Sequence, residues 1–298
     1  MSPRESGIVR VLGEIMVDTV ARIAAPLALD SDTPATITDL EGGSAANTAA
    51  WLATEGVSVD LIACVGVDAL GDRSLARLAE SGVHLSVRRS PDLSTGRCVV
   101  IVGSGGERTM LPDPGANAAI SPDDIDTHGW AIGDHLHVSG YSLMRPRSRD
   151  AALAALSAAR DLRLAVSVDA SSAEPLRVTG PERFLSDCVP GDILFANVDE
   201  AAVLTGSRDP AAAATALAAR GLTAIVKAGA GGAYAAADGH QWHMPAAPVG
   251  EVLDSTGAGD AFAAGFLAAW RLHADMPDAL QRATRLSARA ITRWGARP

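Results

Sequence analysis

From about Trp130 onward, short β-rich apolar runs alternate with Ala-rich helical stretches, and this alternation limits the fold more than any other feature of the chain. Residues 136–138 read as a strand and 149–160 as a helix. Residues 164–168 form a strand ending at Asp169, and 193–196 form one ending at Asn197. A helix over 210–220 tolerates Pro210 in its first turn. Strands follow over 224–226 and 233–236, then two strongly helical stretches over 259–272 and 277–292. Strands that alternate with helices imply a mostly parallel sheet covered on both faces, joined by right-handed crossovers. At 298 residues and 48% apolar content the chain can bury the core of one large α/β domain. Ala and Gly are abundant and Phe and Tyr scarce, so the helices are expected to pack closely through small side chains.

The first third of the chain is less regular. Residues 8–17 read as a buried strand interrupted at Gly13 and Glu14, and 36–40 as a half-exposed strand. Gly42 and Gly43 precede a small-residue helix over 44–54, with Ser44 as its expected cap. A strand over 59–65 and a helix over 72–81, ended by Gly82, come next. Residues 97–102 and 107–111 are β-rich and flank Gly103-Ser104-Gly105-Gly106, which predicts a hairpin. Together with 33–40 they predict a small sheet beside the main core. Such a sheet cannot bury both of its faces, so it is expected to cover a cleft.

The net charge of −10 argues against nucleic acid as a partner, which needs clustered Lys and Arg. Small phosphorylated ligands stay open, because local donors bind them inside an acidic protein. Cys64, Cys98 and Cys188 are isolated and no CxxC occurs, which predicts reduced, buried thiols and no disulfide framework or thiolate zinc site. The chain shows no charged-then-apolar leader and no apolar run of membrane-spanning length, so a cytoplasmic location is expected, with no membrane partner.

The strongest local signal is Asp254-Ser255-Thr256-Gly257-Ala258-Gly259-Asp260-Ala261-Phe262. Its glycines let backbone amides converge. The run opens a long helix, whose first amides lack internal partners and favour an anion. Asp260 has two readings at this point. It is either a carboxylate stabilised by the helix dipole or a general base that takes a proton from a hydroxyl as phosphate arrives. The run is not a Walker A motif, since no GKS or GKT follows, and it lacks the spacing of a dinucleotide fingerprint.

Gly257-Ala258-Gly259-Asp260 within DSTGAGDAF resembles the C-terminal signature of the ribokinase family, also called the PfkB carbohydrate kinases. Gly42-Gly43-Ser44-Ala45-Ala46-Asn47-Thr48-Ala49 resembles the family's N-terminal signature, and the two stand in the family's order. The resemblance runs from Gly13 to Gly295. It implies a ribokinase-like three-layer sandwich in one domain over 1–298, with a β-sheet lid formed by about 33–41 and 95–112. It also implies ATP-dependent phosphoryl transfer to a hydroxyl of a sugar or sugar-like substrate. A nucleoside kinase of the same family is the alternative, and a non-catalytic sugar-binding regulator a further one.

The resemblance makes Asp260 the catalytic base and the amides of Gly257, Ala258 and Gly259 the anion hole. Asp18, Gly42, Gly43 and Asn47 fall on the substrate side. A carboxylate accepts from two neighbouring hydroxyls, and an Asn amide both donates and accepts. Asn197 and Glu200 match the family's Asn-x-x-Glu, where Glu supports magnesium, often through water. Lys227, with Gly229, Gly231 and Gly232, resembles the nucleotide-side loop. A potassium ion beside the anion hole would involve Asp254, Ser255, Ala290 and Gly295. The lid is expected to pair two copies into a homodimer.

Substrate identity is the least transferable part. Arg108 reads either as a partner for a substrate carboxylate or phosphate, or as a solvated hairpin charge. Tyr141 reads either as a stacking surface or as packing beside the cleft. Ribokinase itself carries a Glu after the strand matching 136–138. Here Val138-Ser139-Gly140-Tyr141-Ser142 has no acid, which separates the chain from ribose as the obvious substrate. Four Phe, two Tyr and five Trp leave few aromatics for a base-binding slot, which favours an unphosphorylated sugar over a nucleoside.

Overall fold

The computed structural model describes residues 7–105 and 107–298. In chain order the strands are β1 (Val9–Leu12), β2 (Met16–Ile23), β3 (Ala35–Gly42), β4 (Val59–Gly66), β5 (His84–Ser90), β6 (Gly96–Val102), β7 (Arg108–Asp113), β8 (His135–Ser139), β9 (Ala165–Asp169), β10 (Ile193–Asn197), β11 (Thr223–Lys227), β12 (Ala233–Ala237) and β13 (His240–Met244). The helices are α1 (Ser44–Thr54), α2 (Ala69–Glu80), α3 (Gly140–Met144), α4 (Pro146–Asp161), α5 (Ala173–Thr179), α6 (Pro181–Leu185), α7 (Val198–Thr205), α8 (Pro210–Ala218), α9 (Ala258–Trp270) and α10 (Met276–Ala290).

Nine strands form one sheet in the order β13-β12-β11-β10-β9-β8-β1-β4-β5. Pairing is parallel from β11 to β5 and antiparallel for β12 and β13. Each face has its own core. On one side α1, α9 and α10 pack Trp51, Phe266 and Leu280 against Phe195 and Ile225. On the other, α3 to α8 pack Leu143, Leu156, Phe184 and Leu217 against Leu136 and Val168. Helices do pack through small side chains. At Gly265 of α9 a Cβ would come within 2.9 Å of the Ala283 Cα of α10, so the close crossing needs glycine there.

The order of strands reverses at β1, which lies between β8 and β4. Open α/β sheets bind ligands at the carboxyl ends of their strands beside such a reversal. Ser139, Asp169, Asn197 and Lys227 are the last residues of β8, β9, β10 and β11.

A second sheet has the order β3-β2-β6-β7. The hairpin of β6 and β7 forms as expected, with the Gly103 amide donating to the Glu107 carbonyl at 3.0 Å. Gly106, part of the expected turn, lies outside the described residues. The expected strand over 8–17 is in fact two strands in two sheets. Gly13 to Ile15 carry the chain from the large sheet to the small one, so the small sheet contains β2 as well as the segments expected for it. Gly13 is the crossing point because a Cβ there would meet Ala45 and Ser139 at 2.6 and 2.8 Å.

Two further differences have local causes. Ser44 does not cap α1. Gly43 occupies that place at φ 94°, and the Ser44 amide donates to Glu14 Oε1 at 3.0 Å. Strand β13 was not anticipated, although Asp238-Gly239, both at positive φ, make the two-residue hairpin turn that such a dipeptide favours. Cys64, Cys98 and Cys188 are free and buried. Among the described residues no helix is long and apolar enough to cross a membrane.

Candidate active site

Asp260 stands in the first turn of α9, where helix amides are unpaired. The amides of Gly257, Gly259 and Asp260 have no hydrogen-bond partner among the described residues, whereas that of Ala258 turns to the Ser255 carbonyl at 3.3 Å. Gly257 takes φ 76°, and a Cβ there would press on the backbone of Ala296 at 2.6 to 2.7 Å. The loop is therefore an open cradle of amides that excludes side chains.

The carboxylate of Asp260 is held from α1. Ser44 Oγ donates to its Oδ1 at 2.7 Å and Asn47 Nδ2 to its Oδ2 at 2.8 Å. Burial pushes its pKa up to about 6, against the lowering effect of these two hydrogen bonds. A carboxylate tuned toward neutrality accepts a proton more readily than a solvated one. The two signature motifs, more than two hundred residues apart, thus meet at one carboxylate.

The opposite wall comes from the small sheet. Asp18 of β2 is buried, and a Cβ on Gly42 would come within 2.5 Å of its Oδ2. Burial also raises the Asp18 pKa to about 6, with the Arg297 charge opposing and Asp260, Glu41 and Asp254 reinforcing the shift. Gly43 has no room for a side chain, since its Cβ would meet the Glu14 carbonyl at 2.4 Å. Asp18, Gly42, Gly43, Asn47 and Asp260 are brought together.

On the other side of α9 sits a charged cluster. Lys227 Nζ donates to Asp169 Oδ2 at 2.7 Å, and it lies 3.3 Å from where a Gly259 Cβ would stand. Burial alone would lower the Lys227 pKa, but Asp169 and Glu200 outweigh it and raise it. Asn197 and Glu200 form a capping box on α7. The Glu200 oxygens accept from the Asn197 amides at 2.7 and 2.6 Å, and Asn197 Oδ1 accepts from the Glu200 amide at 2.9 Å. Burial raises the Glu200 pKa to about 7, opposed by Lys227 and helped by Asp169. Gly229 and Gly231 form a short turn between β11 and β12. Gly232, at φ 83°, closes that turn against Met244.

Arg108 reaches from β7 to the loop that opens α9. It bonds Asp254 Oδ1 at 2.6 Å and the Thr256 hydroxyl. Asp254 also accepts from the Thr256 amide at 2.8 Å and the Gly295 amide at 3.2 Å. Burial would raise its pKa, but these donors and Arg108 hold it below the usual value. As placed, both oxygens of the Asp254 carboxylate accept hydrogen bonds, one of them from the Arg108 guanidinium. Ser255 is exposed and Ala290 is buried in the last turn of α10. Tyr141 is half-buried in α3, with the Arg145 guanidinium 5.2 Å from its ring centre. Burial, the Glu14 charge and other carboxylates push its hydroxyl up to about 12.

Four site residues carried no signal of their own in the sequence. Glu14 Oε1 accepts from the Ser44 amide and from Ser139 Oγ, both at 3.0 Å, and so braces the start of α1. Its pKa is raised by burial. In the sequence Ser44 reads as a cap and Asp169 as a strand end, and Arg297 stands in neither motif.

Comparison with known proteins identifies the family and the fold. A family profile described as pfkB family carbohydrate kinase matches residues 9–298. The chain is 34% identical to an ATP-dependent ribose-1-phosphate kinase of Halopiger xanaduensis over 86% of this chain and 82% of that protein. It is 32% identical to a fructokinase of Klebsiella pneumoniae over 92% of this chain and 88% of that protein. Adenosine kinase from Sinorhizobium meliloti superposes with a TM-score of 0.89 at 25% identity, covering 99% of this chain and 96% of that structure.

Proposed function

Because the chain belongs to the pfkB family of carbohydrate kinases, we propose that it moves the γ-phosphoryl group of ATP to a primary hydroxyl of a small sugar, with Asp260 as the base. Membership makes it an ATP-dependent carbohydrate kinase with the ribokinase-like fold. The choice of sugar and the residue roles are our reading.

The observation that carries it is Asp260 held between Ser44 and Asn47 beside the unpaired amides of α9. Asp18 and the Gly42 backbone hold neighbouring sugar hydroxyls so that the reacting one faces Asp260. Asp260 takes that hydroxyl's proton. The oxygen forms its bond to the γ-phosphorus as the bond to the β-phosphate bridging oxygen breaks, and ADP leaves. The amides of Gly257 and Gly259 stabilise charge on the moving phosphoryl group. Lys227 supplies a positive charge at the mouth of the same cradle, with Gly229, Gly231 and Gly232 lining the nucleotide side.

Magnesium keeps most of its ligands as phosphate oxygens and waters. Among the described residues no three acidic, His or Cys side chains gather for a metal ion. One buried carboxylate, Glu200, fits a magnesium held on the triphosphate, where the ion would neutralise phosphate charge. A potassium ion at Asp254 would need Arg108 to leave that carboxylate. Rates compared in potassium and choline chlorides test the requirement. We also read the exposed Ile37, Val99 and Leu111, which share one face of the small sheet, as the surface that pairs two copies; light scattering across concentrations tests it.

The relatives act on sugars with and without a phosphate, and one solved neighbour is a nucleoside kinase. A thermal-shift screen with ribose, fructose, 2-keto-3-deoxygluconate, ribose 1-phosphate and adenosine, run with a non-hydrolysable ATP analogue, separates these classes, since a ligand raises the melting temperature with its occupancy. A sugar ranked first, followed by its phosphorylation with ATP, is the expected result. Adenosine ranked first would favour the nucleoside reading, in which half-buried Tyr141 flanks the base. No phosphorylated product from any compound would count against the sugar reading.

A further inference from the structure

Arg297 belongs to neither signature motif and has no part in the chemistry above, yet its side chain is only 10% exposed inside the site. Its NH2 donates to the Gly42 carbonyl at 2.7 Å, its Nε donates to Asn47 Oδ1 at 3.3 Å, and its NH1 lies 3.5 Å from Glu41 Oε2. The backbone beside it is pinned as well. The Ala296 carbonyl accepts from Trp51 Nε1 at 2.9 Å, and Ala296 packs where a Gly257 side chain would otherwise stand.

A guanidinium only donates, whereas the two ends of an Asn amide differ only in which one donates. The bond from Arg297 therefore fixes the accepting end of the Asn47 amide, as the acceptor-only Asp260 carboxylate fixes the donating end. With Oδ1 held by Arg297, Nδ2 faces Asp260 Oδ2 at 2.8 Å. Turned the other way, Asn47 would present an acceptor to a carboxylate, and Asp260 would lose one of its two side-chain hydrogen bonds. The same guanidinium holds the Gly42 carbonyl in place directly beneath Asp18.

We propose that Arg297 is a positioning residue for phosphoryl transfer, locking the Asn47 amide toward Asp260 and the Gly42 backbone beneath Asp18. The proposal rests on the reading of Asp260 as the base. A residue that merely anchors its own segment would affect stability alike whatever stands at position 47. A positioning residue acts through Asn47.

The test is a double-mutant cycle in the full chain, using the sugar that the thermal-shift screen identifies. Arg297→Ala is expected to lower kcat by about tenfold, the scale of a modest misplacement of reacting groups, with the KM for ATP unchanged. In an Asn47→Ala background the same substitution should cost clearly less kcat, what remains being the share that acts through the Gly42 backbone. Arg297→Lys, which still donates to Asn47, should recover part of the loss. If Arg297→Ala does not fold, the cycle is run with Arg297→Lys and Arg297→Gln. A kcat loss of equal size in both backgrounds, or none at all, overturns the proposal. Asp260→Asn runs beside it: an inactive Asp260→Asn with an additive cycle sinks the role of Arg297 alone. A fully active Asp260→Asn sinks the base reading and the proposal with it.

Discussion

Arg108 and Asp254, 146 residues apart, form an ion pair at 2.6 Å that ties the small sheet to the loop opening α9. The Asp254 side chain is buried and that of Arg108 about three-quarters so, which makes the pair less screened than a surface one. It joins the small sheet to that loop across the mouth of the site.

Arg108→Ala should loosen the small sheet from the phosphate loop. The loss of a charged hydrogen bond of about 1.5–3 kcal/mol should raise the KM for sugar by roughly tenfold or more. ATP hydrolysis without a sugar acceptor should rise, because a cover that excludes water has been released. Steady-state kinetics with and without acceptor measure both. Unchanged values for both would show that the pair does not hold the site closed.

Asp260→Asn should cut turnover by roughly 10²–10⁴-fold while leaving ATP affinity largely intact, as loss of a general base does. In the unaltered protein the base works only when deprotonated. With its pKa raised to about 6, activity should fall as pH drops below that value. A pH profile of kcat/KM alongside calorimetric ATP titration checks both halves, and an acid limb near pH 4 would contradict the raised pKa.

Asp18 and Asp260 both have pKa values raised from 3.8 to about 6, and Glu200 from 4.5 to about 7. Between pH 4 and 7 the folded chain therefore holds protons that the unfolded chain has lost. The stability these groups contribute is present in full below pH 4 and is lost as pH rises through 6 to 7. Above pH 7 they are buried charges that cost stability. Asp18→Asn should then raise stability at pH 7.5 by about 0.5–2 kcal/mol while weakening sugar binding, a trade of function for stability. Denaturant unfolding at pH 5 and pH 7.5 measures it, and the gain should shrink at the lower pH.

Gly257→Ala should lose both activity and stability. The residue sits at φ 76°, and its Cβ would press on the Ala296 backbone. A strained, crowded position of this kind costs about 1–3 kcal/mol. Thermal unfolding and kcat measured together should both fall. Loss of activity with stability intact would place the effect on the amides of the cradle alone.

The elements of the α/β core were legible because their signals are local. Strand ends at Asp169 and Asn197, Pro210 in a first turn and Gly82 at a helix end each depend on a few neighbouring residues, and α1 occupies the expected 44–54. The Asp238-Gly239 turn was equally local, and a closer reading would have found β13. The run around Gly257 and Asp260 announced the helix start at Ala258 for the same reason, since the amide geometry of a helix start is set within one turn.

What the chain's spacing could not carry is which distant residues meet. Residues 8–17 are one apolar run, yet Gly13 to Ile15 divide it between two sheets, because at Gly13 only a residue without a side chain fits between Ala45 and Ser139. Ser44 offered a cap and instead holds Asp260, since Glu14 from the link between β1 and β2 already takes its amide. Arg108 read either as a partner for a substrate anion or as a solvated charge, and the fold pairs it with Asp254, while Arg297 offered nothing until its guanidinium met Asn47 and Gly42. Local propensity and turn chemistry depend on neighbours along the chain and are written in order. Hydrogen-bond partners of buried charges depend on which surfaces pack together, and only the folded chain selects them.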